Sequence, residues 1–246
     1  SVGSVLDRLR WMHLPVLARD VVDSLLQPAR TYAAAKRERH YPAASSQEGS
    51  WRWLVVDAPT LAALKTRCGA SINDVLVAAL ARVAAMRSST GPVTVTYTMD
   101  LRRYTSAPRL SAANTSSILT AVVPRSAIGD LASTAAEVAK ITRRQRHGFA
   151  GPAFMVAPML LGAGIPHELT RRALPFVHPI VVDLPLSRGL LVTNVGRIDD
   201  GVAAFGDTIE GLRIIGPNIR GVNAPAVVAY GFRGELHLEL LASPGL

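Results

Sequence analysis

The stretch GASINDVLVAALARV, residues 69–83, sets a polar start directly before an apolar run. Ser71 is a favoured N-cap, and Asp74 lies three residues on, where its carboxylate can face the first-turn amides as a capping-box-like partner. Its negative charge also suits the positive end of the helix dipole. Ile72, Val75, Leu76, Ala79, Leu80 and Val83 follow at spacings of three and four, which puts them on one helical face. The pattern predicts a long helix, capped at its start and buried along one side. Asn73 has less structural reason to be there: a first-turn Asn points outward or toward a neighbouring loop. Just upstream, Pro59 opens a shorter helix that Gly69 stops, with Leu61, Ala62 and Leu64 available to a core.

Strands are expected on either side of these helices. WRWLVVD (51–57) is short, apolar and β-rich. VTVTYTMDL (93–101) alternates Val93, Val95, Tyr97 and Met99 against threonines, the pattern of a strand with one buried face. SSILTAVVP (116–124) is apolar on both faces, which predicts a central position in a sheet. An amphipathic helix runs from about Ile128 to Arg146, and the cations of its last turn suit the negative end of its dipole. GLLVTNVG (189–196), EGLRIIGP (210–217), APAVVAYGF (224–232) and ELHLELL (235–241) supply four more strands; in the last, leucines alternate with His237 and Glu239. Residues 4–40 read as helix divided at Pro15 and Pro28, ending in the basic ARTYAAAKRERHY (29–41). YPAASSQEGS (41–50) reads as a linker. Strands in succession with a few long helices predict an α/β (α+β) layer with a mixed β-sheet and packed helices.

The chain has 246 residues, 27 Lys+Arg against 18 Asp+Glu, and a formal net charge of +9. Such a balance favours acidic partners, including phosphorylated cofactors and acidic proteins. Aromatic residues are sparse and do not interleave with the basic ones, which speaks against a base-stacking nucleic-acid module. The single cysteine, Cys68, excludes an internal disulfide and reads as a small buried apolar residue. It fits a reducing compartment, and with no signal peptide visible a cytoplasmic location is expected. The apolar stretch 149–166 is broken by prolines and glycines, so no membrane span is expected. The first residue is Ser rather than Met, which fits a processed or cut piece of something longer.

Most catalytic patterns are absent. The six histidines are scattered and none lies in a metal-ligand spacing, so no metal site is expected. No phosphate loop, dinucleotide fingerprint or G-x-S-x-G turn occurs. Polar groups do mark strand ends: Asp100 and Arg102 in TMDLRRY read as an ion pair ordering a turn. Asn114 to Ser117 in NTSS could cap a loop or bond a ligand, and Asn194 in TNVGR marks a left-handed turn.

In order, LKTRCGASINDVLVAALARV, YTMDLRRY, NTSSILTAVVP, LLVTNVGRID and VVAYGFRGELHLELL resemble the C-terminal half of the condensation-like acyltransferases. That superfamily is similar in fold to chloramphenicol acetyltransferase and includes nonribosomal peptide condensation domains, polyketide-associated acyltransferases and wax ester synthases. The resemblance implies an N-terminal helical segment and linker over 1–50 and one half-domain over 51–246. It implies two half-domains facing each other across a tunnel. There a phosphopantetheine thioester, on coenzyme A or a carrier protein, meets an alcohol or amine. A histidine of an HHxxxDG motif in the N-terminal half is the general base. No HHxxxDG occurs in this chain, so no catalytic residue is assigned to it. Asn73, Asp74, Asn114, Ser116 and Asn194 are the expected tunnel or substrate-binding residues, and no permanently bound cofactor is expected. The implied partners are an N-terminal half carrying HHxxxDG, a second copy of the chain, or an acyl carrier protein. A non-catalytic carrier-docking or scaffold module of the same fold is the alternative, and a nucleic-acid binder is motivated by charge alone.

Overall fold

The computed structural model describes residues 50–87, 91–100, 116–147, 190–199, 209–214 and 225–242, with positions 168, 169 and 172. In chain order the elements are β1 (Ser50–Val56), α1 (Ala58–Cys68), α2 (Ile72–Arg87), β2 (Val93–Asp100) and β3 (Ser116–Val123). A short 3-10 turn (Arg125–Ala127) follows, then α3 (Leu131–His147), β4 (Leu190–Arg197), β5 (Ala226–Phe232) and β6 (Glu235–Ala242). The expected helices over 4–40 and the linker lie outside the described residues.

The strands form one mixed sheet in the order β1-β6-β5-β4-β2-β3. β2, β4 and β5 are parallel neighbours, and the remaining pairs are antiparallel. α2 and α3 pack on one face, over Val93, Val95, Tyr97 and Met99 of β2, Leu119, Ala121 and Val123 of β3, and Leu190 and Val192 of β4. Alternation along each strand produces this face, since every second side chain points the same way.

Local signals account for the helix ends. Asp57 caps α1, accepting from the Thr60 amide at 2.7 Å, and Gly69 closes it in the left-handed region at φ 56°. Its amide returns to the Lys65 carbonyl, as expected of a glycine stop. α2 opens with the expected reciprocal cap: the Asp74 amide donates to Ser71 Oγ at 3.2 Å, and the Ser71 amide donates to Asp74 Oδ2 at 3.3 Å. α3 begins at Leu131 rather than near Ile128, because Asp130 caps it by accepting from the Ser133 amide at 2.7 Å.

Four details differ from the sequence reading. The buried line of α2 runs through Asp74, Val77, Ala78, Ala81 and Ala84, whereas Val83 is 46% exposed. Residues 75–81 are apolar all round, so the pattern does not single out a face. The sheet takes the side with small alanines, which allows close approach. β3 is an edge strand, not a central one. Its inner side is buried, but Ser116 and Ile118 on the outer side are exposed. Glu210–Ile214, expected as strand, forms none: the Leu212 and Ile209 carbonyls accept instead from Tyr230 Oη and Arg233 Nη2, each at 2.6 Å. The threonines of β2 are not solvated either. Thr94 and Thr96 are buried, and hydroxyl pairs Thr96–Thr120 (3.3 Å) and Thr98–Thr193 (3.1 Å) tie β2 to β3 and β4.

Candidate functional site

The parallel strands define a carboxyl end of the sheet, the end at which open α/β sheets place ligands. Asp100 ends β2 and lies in register with Ser116, the first residue of β3. Asn194 lies toward the same end of β4, which runs parallel to β2. α2 ends just before β2 begins and packs along it, so its first turn, with Asn73 and Asp74, returns to this end too. Five of the seven singled-out residues therefore share one end of the sheet; Arg102 and Asn114 lie outside the described residues.

What anchors that end is a polar network between α2 and α3. Asp74 is 2% exposed. Its carboxylate accepts from Ser71 Oγ at 2.6 Å, from Thr142 Oγ1 at 2.5 Å, and from Arg146 Nη2 at 3.2 Å to each oxygen. Arg146 Nη2 also donates to Thr142 Oγ1, and its Nε donates to the Thr142 carbonyl in the last turn of α3. One turn-mate, Gln145, accepts from Tyr97 Oη at 2.6 Å and donates to the Thr120 carbonyl at 2.9 Å. Thus one carboxylate and one amide pin the end of α3 to α2, β2 and β3. The cations of α3 were expected to serve its dipole. Arg146 does so through Thr142, and it also neutralises Asp74, a pairing 72 residues apart that helical spacing alone does not reveal.

Asp74 is thus both cap and interhelix anchor. Asn73 stands beside it with its Oδ1 buried and without a hydrogen-bond partner, at the carboxyl end of the sheet. Asn194 Oδ1 accepts from the Gly196 amide at 3.0 Å, and Gly196 takes φ 85° where the β4–β5 register slips. This bulge re-aims the strand and leaves Val195 52% exposed. The rest of the NVGRID motif is a turn lock. Asp199 Oδ1 accepts from the Arg233 amide at 2.6 Å in the β5–β6 turn, which holds its carboxyl below the usual carboxylate range.

Cys68 is buried, as expected of a small apolar residue. No group of three or more potential metal ligands occurs among the described residues. No single described helix is long and apolar enough to cross a membrane.

No protein-family model matches the chain, and no curated protein matches it. Solved structures do. The trichothecene 15-O-acetyltransferase TRI3 of Fusarium sporotrichioides superposes with a TM-score of 0.63 at 13% identity, over 95% of this chain and 50% of that one. The fold is that of the condensation-like acyltransferases. The epimerization domain from the third module of tyrocidine synthetase B gives 0.56 at 14% identity, over 93% of this chain and 52% of that one. TRI101 of F. sporotrichioides, solved with coenzyme A and T-2, gives 0.57 at 14% identity, over 82% and 47%. The chain thus spans about half the length of these acyltransferase-fold structures, and its mixed sheet with two helices on one face is a half-domain of that architecture.

Proposed function

We propose that this chain is the C-terminal half of an acyltransferase. It moves an acyl group from a phosphopantetheine thioester, on coenzyme A or a carrier protein, to an alcohol or amine. The observation that carries the reading is the extent of the match: nearly all of this chain superposes on half of an acetyltransferase. The division places an N-terminal helical segment and linker over 1–50 and the half-domain over 51–246. A companion half carrying HHxxxDG supplies the imidazole that removes the acceptor's proton. Asn73, Asp74, Asn114, Ser116 and Asn194 belong to this chain's side of the tunnel. Asp74 fixes the first turn of α2, and Asn73 offers its open acceptor there. The net charge of +9 favours the phosphates of coenzyme A or an acidic carrier surface. The reaction belongs to the cytoplasm, where acyl thioesters are held.

The test mixes the purified chain with a companion N-terminal half and follows thiol release from acetyl-coenzyme A and from an acyl carrier protein. Transfer that requires both polypeptides supports the reading. Absence of both association and transfer refutes it. The lack of HHxxxDG within these residues also favours a second reading, a carrier-docking or scaffold module, for which association without transfer is the expected result.

A further inference from the structure

The sheet face turned away from α2 and α3 carries buried polar atoms without a hydrogen-bond partner among the described residues. His237 is 5% exposed, and neither of its ring nitrogens has a hydrogen-bond partner. Glu239, on the same face of β6, is 4% exposed, and its Oε1 has no donor. Register sets Trp53 of β1 beside Glu239 and Tyr230 of β5 beside His237. The imidazole stacks on Tyr230 at 5.0 Å (11° between planes) and on Trp53 at 5.9 Å (22°). Two buried titratable side chains with unsatisfied polar atoms thus share this face with the Trp53 and Tyr230 rings.

Hydrogen-bond inventory selects the ligand. A carboxylate oxygen only accepts, and a neutral imidazole has one acceptor and one donor. With its N–H on Nε2, toward Glu235 Oε2 at 3.5 Å, the imidazole presents Nδ1 as an acceptor, so a partner shared by Nδ1 and Glu239 Oε1 brings two donors, and the Glu239 carboxylate repels an anion. Aromatic faces attract cations, and two such contacts already exist on these strands: the Arg213 guanidinium carbon lies 4.3 Å from the Trp53 ring centroid, and that of Arg233 lies 5.4 Å from Phe232. Glu235, 46% exposed, stands at the solvent side of the cluster with its Oε2 3.5 Å from His237 Nε2. Trp53, 45% exposed on an edge strand, is the most exposed member of the cluster.

We propose that the Trp53–Tyr230–His237–Glu239 cluster binds a primary ammonium group. Glu239 takes its charge and His237 accepts a second N–H, beside the Trp53 and Tyr230 rings. The ammonium comes from a free alkylamine or from the lysine side chain of a polypeptide seated along β1. The assignment does not rest on acyl transfer, and binding alone tests it.

The experiment follows the His237 ring signals by NMR in the 246-residue chain with labelled histidine, at fixed ionic strength. Titrants are n-butylammonium, Nα-acetyl-lysine amide and tetramethylammonium, which carries charge but no N–H. A saturable shift with the primary amines is expected, with tetramethylammonium weaker by about tenfold or more. Glu239→Gln removes the charge from the site and is expected to weaken butylammonium by a similar factor, with its amide spectrum unchanged. Should that variant fail to fold, His237→Phe serves instead, read by tryptophan fluorescence. Tighter binding of the lysine amide assigns the site to a polypeptide, and tighter binding of butylammonium assigns it to a free amine. No saturable shift with either amine overturns the proposal and leaves an ordered water as the occupant. Equal binding of tetramethylammonium overturns it too.

Discussion

Replacing Asp74 by alanine tests whether the α2–α3 network holds the carboxyl end of the sheet together. The substitution removes the N-cap partner, a loss of about 1 kcal/mol. It also strips the Thr142 hydroxyl, which is fully buried, of a charge-assisted bond; such bonds contribute about 1.5–3 kcal/mol. Arg146 loses its carboxylate but remains 29% exposed and can turn to water, so the full penalty of a stranded buried charge is not reached. The expected cost is about 3 kcal/mol. With a urea slope of roughly 2 kcal/mol/M, the midpoint followed by far-UV circular dichroism falls by about 1.5 M at unchanged slope. Asp74→Asn keeps a single acceptor oxygen for Ser71 and turns the amide nitrogen toward the Thr142 hydroxyl, so it loses the charge and one acceptor yet costs less than the alanine, about 1–2 kcal/mol. A cycle pairing it with Arg146→Met is expected to return a coupling of about 1 kcal/mol. A midpoint shift below about 0.5 M for Asp74→Ala, or a coupling indistinguishable from zero, would refute the reasoning.

Tyr97→Phe removes the donor to Gln145 at the same end of the sheet and is expected to lower stability by about 1 kcal/mol in the same urea assay; no change would detach α3 from the account given above. Gly69→Ala puts a Cβ into open space but at φ 56°, so only conformational strain is felt, about 1 kcal/mol, and Gly69→Asn should recover part of it. Three carboxyls are held below their ordinary range: Asp57 by the hydroxyl and amide of Thr60, Asp130 by the amide of Ser133, and Asp199 by the amide of Arg233. Their folded pKa values lie below the unfolded value near about 3.9, so the unfolded chain binds more protons there. The stability they contribute is present above that pH and is lost as pH falls through the folded values. Replacing all three by Asn should flatten the acid limb of the stability–pH curve, and an unchanged limb would count against these caps.

Helix termini were the most legible part of the sequence, because a cap is a short-range device. Pro59, Gly69, Ser71 and Asp74 act over a few residues, and each does in the structure what its spacing predicts, whereas Asp57, read as the end of a strand, turns out to cap α1. The inner face of β2 was equally readable, since Val93, Val95, Tyr97 and Met99 alternate without a break. The order of motifs along the chain was enough to expect the acyltransferase fold. The candidate site was legible only in part. Asn73, Asp74, Asp100, Ser116 and Asn194 could be singled out one by one, but nothing local says that they share an end of the sheet.

Two properties of this protein thus separate by the range of the forces behind them. The sequence by itself determined how α2 is capped, where α1 stops and which strand face of β2 turns inward, because capping and alternation operate over two to four residues. Only the tertiary structure decided which side of α2 meets the sheet, that SSILTAVVP lies at an edge, and that Asp74 finds Arg146. It also decided that His237 and Glu239 are buried beside Trp53 and Tyr230. These outcomes depend on strand order and on contacts between distant segments, and the stabilising term is burial and pairing in three dimensions. An apolar run that suits two faces equally, or an arginine that suits a helix end, carries no record of the partner it will meet.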